Sequence, residues 1–478
     1  MRLKKAIFIN RAPFDKLELN FDNSNIFLLS GVNGKGKTTI LSYIVDAFYE
    51  LAKKGYHNEF ASKPNKYYRV SSDLYSLDNC AVSIVYLRFD MADGKENDYV
   101  DIRGNTTAEK YYALLGIDNP IPFHVIATDL KKYGNLKYWK SHSAEDSKQV
   151  FSAELMTYFP AYRYEQPYYL NTPYRPDLSF TKDMGFAGYL DNPIEVTTDF
   201  PQIANWMMDV VLDRYQYAGT SSEVLKYINS FLSLILYSKT KCPVRLGIGQ
   251  RYAGVERIAV MSSNDDSLVY PSIFFMSSGE MALVAEFVGL LKQTDTLRKP
   301  LHDVSGIVLI DEVDKHLHIR LQKETLPLLF AEFPKVQFIV TSHAPFLSLG
   351  LAENNHVIKS TFFDMDRNGC SCEAENNDLY QEVYQIMVAE NDRFAEKYKE
   401  LSSQIKSDNK PLVITEGKTD WKHLKAALNA LHVSDIDVTF HEYDDAIGDK
   451  NLMQMLKSFV CLNSTRKIIG IFDRDNSS

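Results

Sequence analysis

The chain has 478 residues, 45% hydrophobic and 24% charged, with a formal net charge of −9. That length suggests roughly two to four globular domains of ordinary composition. No apolar run approaches the ~18–20 residues that cross a bilayer, and the acidic balance excludes a generally nucleic-acid-coating surface while leaving room for a local basic groove.

The opening stretch, "MRLKKAIFINRAPFDKLELNFD", lacks a signal-peptide core and alternates apolar with polar residues, so a cytoplasmic protein with no membrane partner is expected. Residues 5–9, 17–21 and 26–30 read as strands before a glycine-rich loop. Residues 37–54 then have helical spacing, with Ile40, Ile44, Ala47 and Leu51 on one face. From about 81 to 130, strands such as "AVSIVYLRFD" alternate with polar loops. "KKYGNLKYWKSH", 131–142, interleaves lysines with Tyr133, Tyr138 and Trp139. Cations beside stacking rings suit single-stranded nucleic acid, but a solvated hairpin with a small aromatic cluster is the preferred reading. Residues 158–185 are rich in tyrosine and proline and read as irregular. Residues 200–240 predict two or more helices with a break at Gly219. Strand signals return at 256–262 and 306–310.

Five cysteines give no disulfide framework and suit a reducing compartment. Cys370 and Cys372 follow "DRNG", which predicts a hairpin turning at Asn368-Gly369. A zinc site would need two further ligands, and none lies close in sequence. A charged helical stretch covers 378–407, and "DNKP" marks the clearest domain boundary. After it, "LVIT", "TDWKHLKAALNALH", "DVTFHEY", "DKNLMQMLKSFV" and "KIIGIF" alternate as β-α-β-α-β, which predicts a parallel sheet.

Gly31-x-x-x-x-Gly36-Lys37-Thr38 fits the P-loop pattern and stands between an apolar strand and a helix. Backbone N–H groups of Gly31, Asn33, Gly34, Lys35, Gly36 and Thr39 would curl around ATP phosphates at the helix N-terminus. Lys37 would reach the β- and γ-phosphates, and the Thr38 hydroxyl would ligate Mg²⁺. In "GIVLIDEVDKHLH", four apolar residues carry Asp311 to a strand end, where it can bind Mg²⁺ directly or through water. Glu312 could then polarise the attacking water. In the last unit Glu416 ends the first strand, and Asp473 and Asp475 follow the third. Parallel strands put their C-termini on one edge, so the three carboxylates could share Mg²⁺ or Mn²⁺.

"MSSGEMALVAEF" directly precedes the Asp311 strand and resembles the signature motif of ABC-type ATPases, with Ser277, Gly279 and Glu280 at the informative positions. "FIVTSHAPFL" places His343 like the switch histidine of that class. Gln166, in "YFPAYRYEQ", and Arg163 are equal candidates for the Q-loop position. The resemblance implies a head-to-head dimer closed by ATP, with the helices at 200–240 as a dimerisation insert. "TEGKTD" and "FDRD" resemble the two motifs of the Toprim domain.

An ABC-type ATPase followed by Toprim is similar to the OLD (overcoming lysogenisation defect) nucleases, whose relatives include the Gabija nuclease, a retron-associated effector and the PARIS ATPase. The expected class is therefore α/β. The first ATPase part is expected at 1–195, the helical insert at 196–245 and the second ATPase part at 246–377. A helical linker at 378–410 then leads to a Rossmann-like Toprim domain at 411–478. The D-x-D motif stands close to the end of the sequence, so a Toprim domain that is incomplete, or else vestigial, is expected. The resemblance implies an ATP-gated, Mg²⁺-dependent DNA endonuclease of antiphage defence, with DNA as substrate. Other defence subunits, such as a reverse transcriptase with its non-coding RNA/DNA, are implied partners. The competing reading is an ATPase scaffold that binds and releases an effector.

Overall fold

Strands β1 (Arg2–Arg11) and β2 (Phe14–Asn20) form an antiparallel hairpin, and β3 (Ile26–Ser30) runs from it to a glycine-rich turn and helix α1 (Lys37–Gly55). This is a computed structural model. It describes residues 1–21, 24–56, 59–60, 63–67, 70–71, 76–163, 190–197, 200–216, 221–249, 258–374, 410–433, 436–442, 448, 452–453, 456 and 467–473. The chain divides into two units, Met1–Gln381 and Glu382–Ser478.

In the first unit a short pair, β4 (Glu59–Phe60) and β5 (Lys63–Tyr67), follows α1. Then come β6 (Ser83–Asp90), β7 (Glu96–Arg103), α2 (Ala108–Leu115), α3 (Phe123–Tyr133), β8 (Asn135–Trp139), α4 (Ala144–Ala153) and β9 (Glu154–Phe159). A five-stranded antiparallel sheet has the order β2-β1-β6-β7-β8. Its outer face packs Ile7, Ile84, Tyr86 and Val100 against Tyr111 and Leu115 of α2 and Ile126 and Leu130 of α3. Trp139 is buried against Phe89 and Tyr99, so the ring that alternates with the lysines of 131–142 belongs to the core.

The two helices expected within 200–240 are α5 (Phe200–Gln216) and α6 (Ser221–Thr240). A small sheet of β10 (Val244–Ile248), β11 (Ile258–Ser262) and β12 (Leu268–Tyr270) follows them. The rest of the unit contains α7 (Ser278–Leu283), α8 (Gly289–Thr296), β13 (Ser305–Ile310), α9 (Leu326–Ala331) and β14 (Val336–Ser342). It ends with α10 (Pro345–Glu353), β15 (Ser360–Asp364) and β16 (Cys370–Cys372). The β15–β16 hairpin turns through Asn368 and Gly369, both at positive φ, and Cys370 and Cys372 are free thiols.

The central sheet has the order β16-β15-β3-β14-β13-β9, and all but β16 run parallel. Its strands are apolar on both faces, as a covered parallel sheet requires. Ile26, Leu28, Val308, Ile310, Phe338 and Val340 face a core that holds Ile203 and Met207 of α5 and Phe231, Leu232 and Ile235 of α6. Phe27, Leu29, Ile307, Leu309 and Ile339 face the opposite core with Ile40, Ile44, Ala47 and Leu51 of α1. The apolar faces of α5 and α6 are thus buried in the same core as the nucleotide-motif strands. Shared strand direction places the loops after β9, β13, β14, β3 and β15 along one edge.

The second unit has a parallel sheet in the order β18-β17-β19, made of β17 (Leu412–Thr415), β18 (Thr439–Phe440) and β19 (Ile468–Ile471). Helix α11 (Asp420–Ala430) links β17 to the segment that leads to β18. The whole charged stretch at 378–407, and Asp475, lie outside the described residues.

Candidate nucleotide site and a second acidic edge

At the end of β3, Gly31, Gly34 and Gly36 all take positive φ. Gly36 also has no room for a side chain: a Cβ there would stand 2.3 Å from the Phe14 ring and 2.7 Å from Pro13. The β1–β2 turn therefore presses directly on the loop, and α1 begins immediately after it. Lys37 is buried, with Nζ donating to the carbonyls of Gly31 at 2.7 Å and Val32 at 2.9 Å. Burial pulls its pKa below the ordinary 10.5, and Asp366, Asp311, Glu312 and Asp314 oppose that shift. Asn33 and Gly34 are exposed, and Lys35 and Thr39 partly so, which leaves the loop backbone open to a ligand.

The Thr38 hydroxyl donates to Asp311 Oδ2 at 2.8 Å. Asp311 is buried at the end of β13, its N–H donating to the Phe159 carbonyl at 2.9 Å. Its other oxygen accepts from Thr341 Oγ1 at 2.5 Å. Thr341 in turn accepts from the Glu312 N–H at 2.7 Å, and Glu312 sits at φ 50°. His343 directly follows β14, which lies between β3 and β13, so it stands between the P-loop and Asp311 along the edge. It is half-buried.

The donor set fits Mg²⁺. Thr38 and Asp311 offer hard oxygen, and this ion keeps few protein ligands beside phosphates and water. Among the described residues no group of three or more His, Cys, Asp or Glu gathers to hold a metal without such help.

Ser277 caps α7 in a reciprocal capping box: Ser277 Oγ accepts from the Glu280 N–H at 3.4 Å, and Glu280 Oε2 accepts from the Ser277 N–H at 2.8 Å. Glu280 Oε2 also accepts from the Tyr270 hydroxyl at 2.9 Å, so its carboxylate is engaged within the fold. Gly279 lies against the loop after β13, where a Cβ would come within 2.6 Å of the His316 carbonyl.

Three partners of the site escape a reading of motifs. Thr341 is one; a hydroxyl at the end of the apolar run Phe338–Val340 is its only local signal. Asp366, in the turn after β15, accepts from the Val32 N–H at 3.0 Å and pairs with Lys35 at 3.5 Å. Glu286 is the third, and it binds Arg163 at 2.7 Å. Of the two Q-loop candidates, Arg163 stands in the turn after β9 beside the Asp311 loop, and Gln166 lies outside the described residues.

In the second unit the Glu416 N–H donates to Ile471 O at 3.0 Å, which joins the ends of β17 and β19. The Asp473 N–H donates to Glu416 Oε2 at 3.1 Å. Glu416 and Asp473 therefore meet at the C-terminal edge of a parallel sheet. The Gly417 N–H donates to Asp420 Oδ2 at 2.7 Å, tightening the turn into α11.

Two family models match the chain: "AAA domain" over residues 9–157, and "AAA domain, putative AbiEii toxin, Type IV TA system" over 263–349. The chain is 23% identical over 388 residues to the retron Vc95 probable ATPase of Vibrio cholerae, covering 72% of this chain and 71% of that protein. It is 38% identical over 90 residues to the retron Ec83 probable ATPase of Escherichia coli, covering 18% of this chain and 16% of that one. A 51-residue match at 51% identity covers 11% of this chain and 7% of the Septu protein PtuA of Bacillus mycoides. Among solved structures, the SMC head domain from Thermotoga maritima aligns with TM-score 0.36 and 16% identity, over 76% of this chain and 95% of that one. Residues 9–157 and 263–349 hold the P-loop, Ser277, Gly279, Asp311 and His343, and the chain carries an α/β P-loop ATPase domain similar to those of retron-associated ATPases, which implies nucleotide binding.

Proposed function

We propose that this chain is an ATPase of an antiphage defence system, and that ATP binding gates a Mg²⁺- or Mn²⁺-dependent DNA endonuclease in its second unit. The Thr38–Asp311 hydrogen bond supports the ATPase reading, because a P-loop hydroxyl beside a strand-end carboxylate is the pair with which P-loop enzymes hold the nucleotide's Mg²⁺. Thr38 and Asp311 would hold that ion, which when bound would offset the negative charge of the phosphates. Lys37 orients the phosphates, Glu312 holds and polarises water, and His343 contributes from the neighbouring strand end. Similarity to retron ATPases supports the defence setting. Ser277 and Gly279 would meet a nucleotide held by a second copy, making a homodimer or higher even oligomer the working form.

The nuclease part rests on the Asp473 N–H donating to the Glu416 carboxylate at one sheet edge, which brings together two positions where a Toprim domain carries metal-binding carboxylates. Asp473→Ala is expected to abolish DNA nicking by the complete protein while ATP hydrolysis continues. Equal cleavage by wild type and variant would overturn the nuclease assignment. The scaffold reading, in which the ATPase holds and releases a separate effector, draws on the relatives named as ATPases. Cleavage by neither protein, with ATP hydrolysis intact, would favour it. For the ATPase itself, Lys37→Ala should abolish ATP binding and Glu312→Gln should preserve binding but slow hydrolysis; undiminished affinity in the Lys37 variant would remove the assignment.

A further inference from the structure

The Arg163 side chain is nearly buried, and its guanidinium is surrounded by acceptors from three parts of the fold. Nη1 donates to the carbonyls of Pro160, at 3.0 Å, and Asp311. Nη2 donates to the Glu312 carbonyl at 3.0 Å. Nε donates to Glu286 Oε1 at 2.8 Å, and Nη2 lies 2.7 Å from the same oxygen. Lys315 returns the connection by donating to the Ala161 carbonyl. The turn after β9 and the loop after β13 are thus joined by side chains from both.

Glu286 belongs to the other partner. It lies in a single π-helical turn, Val284–Val288, that continues directly from α7 and the Ser277 cap. Such turns are rare and recur at functional sites. The carboxylate is buried, and burial pushes its pKa up against the pull of Arg163. A buried carboxylate is costly without a charged partner, and Arg163 supplies one with fork geometry that lysine lacks. Glu312, whose carbonyl Arg163 also holds, adopts a left-handed conformation that persists only where its surroundings enforce it.

We propose that Arg163 is a positioning residue that sets the Glu312 backbone for hydrolysis and ties it to the signature helix through Glu286. Movement of Ser277–Gly279 on meeting a nucleotide would then reach Glu312 through one guanidinium. This rests on the ATPase reading above, and on no direct contact between Arg163 and nucleotide.

The test compares wild type, Arg163→Lys, Glu286→Gln and Glu312→Gln, and each Arg163 or Glu286 change combined with Glu312→Gln. Nucleotide affinity is measured with a fluorescent ATP analogue and hydrolysis by single-turnover kinetics. Arg163→Lys should slow hydrolysis on the order of 100-fold, the loss typical of a misplaced catalytic group, with nucleotide Kd unchanged. In the Glu312→Gln background the same change should have little further effect, because it acts through Glu312. A full additional loss in that background would overturn the proposal, as would a weakened Kd with an unchanged rate. Glu286→Gln keeps the side chain's shape and leaves the carbonyl contacts of Arg163 in place. It should slow hydrolysis in the same non-additive way even if Arg163→Lys fails to fold, and a wild-type rate in a folded Glu286→Gln protein would break the link to the signature helix. Hydrolysis by wild type tests the ATPase reading separately; its absence would overturn that reading rather than misassign Arg163.

Discussion

Thr38 and Thr341 hold opposite oxygens of the same carboxylate: Thr38 donates to Asp311 Oδ2 at 2.8 Å and Thr341 to Oδ1 at 2.5 Å. An incoming Mg²⁺ would take the place of the first bond and leave the second. Thr341 therefore orients the carboxylate without being a ligand. Thr341→Val keeps the shape of the strand and removes the hydroxyl. It should raise the Mg²⁺ concentration needed for nucleotide binding by about 10–100-fold, as loss of an outer-shell partner does. A magnesium titration of ATP-analogue binding checks this, and an unchanged midpoint would remove Thr341 from the site.

Gly279 is fixed by packing. A methyl group there would stand 2.6 Å from the His316 carbonyl, a backbone atom that cannot swing aside as a side chain can. Gly279→Ala should push the signature turn away from the Asp311 loop and cost about 1–3 kcal/mol, as overpacking does. Thermal denaturation should show a lowered midpoint, and the ATP-dependent self-association proposed above should weaken with it. A variant as stable and as associative as wild type would show that the loop yields freely.

Lys37 is expected to make ATP binding pH-dependent. Burial lowers its pKa in the free protein, and a triphosphate beside the amine would raise it again. Between those two values binding takes up a proton, so affinity falls as pH rises through the window. Below the lowered pKa the amine is charged in both states and this dependence vanishes. Calorimetry of ATP binding in buffers of different ionisation enthalpy should give a buffer-dependent heat inside that window and a buffer-independent one below it; a buffer-independent heat at every pH would remove Lys37 as the source.

The motifs were legible because each follows an apolar strand, and strand ends are local facts. "FLLS", "VLI" and "FIVTS" announce the positions of Gly31, Asp311 and His343 without knowledge of the fold. The partners were illegible because no local pattern encodes them. Asp366 meets Val32 across 334 positions, and Glu286 meets Arg163 across 123. Trp139 shows the converse limit. Lys137 and Lys140 stand beside it in sequence, but its position at the end of β8 turns its ring inward against Phe89 and Tyr99. The apolar periodicity of 200–240 announced α5 and α6; their burial against the central sheet depends on residues far away.

The position of β3 has a consequence for synthesis. It carries the P-loop and is translated among the first 30 residues, but its two neighbours in the sheet are β14 and β15, at Val336–Ser342 and Ser360–Asp364. A nascent chain therefore carries a strand of four consecutive apolar residues, Ile26 to Leu29, with both edges unpaired while some 300 more residues are added. Chains fold from the N-terminus as they emerge, and unpaired strands aggregate. The first motif to leave the ribosome is thus among the last to be completed, and a stalled or truncated translation product would expose a sticky strand instead of a weakened nucleotide site. Pausing before residue 336 should make the nascent protein a client of holding chaperones, and release past residue 364 should end that dependence.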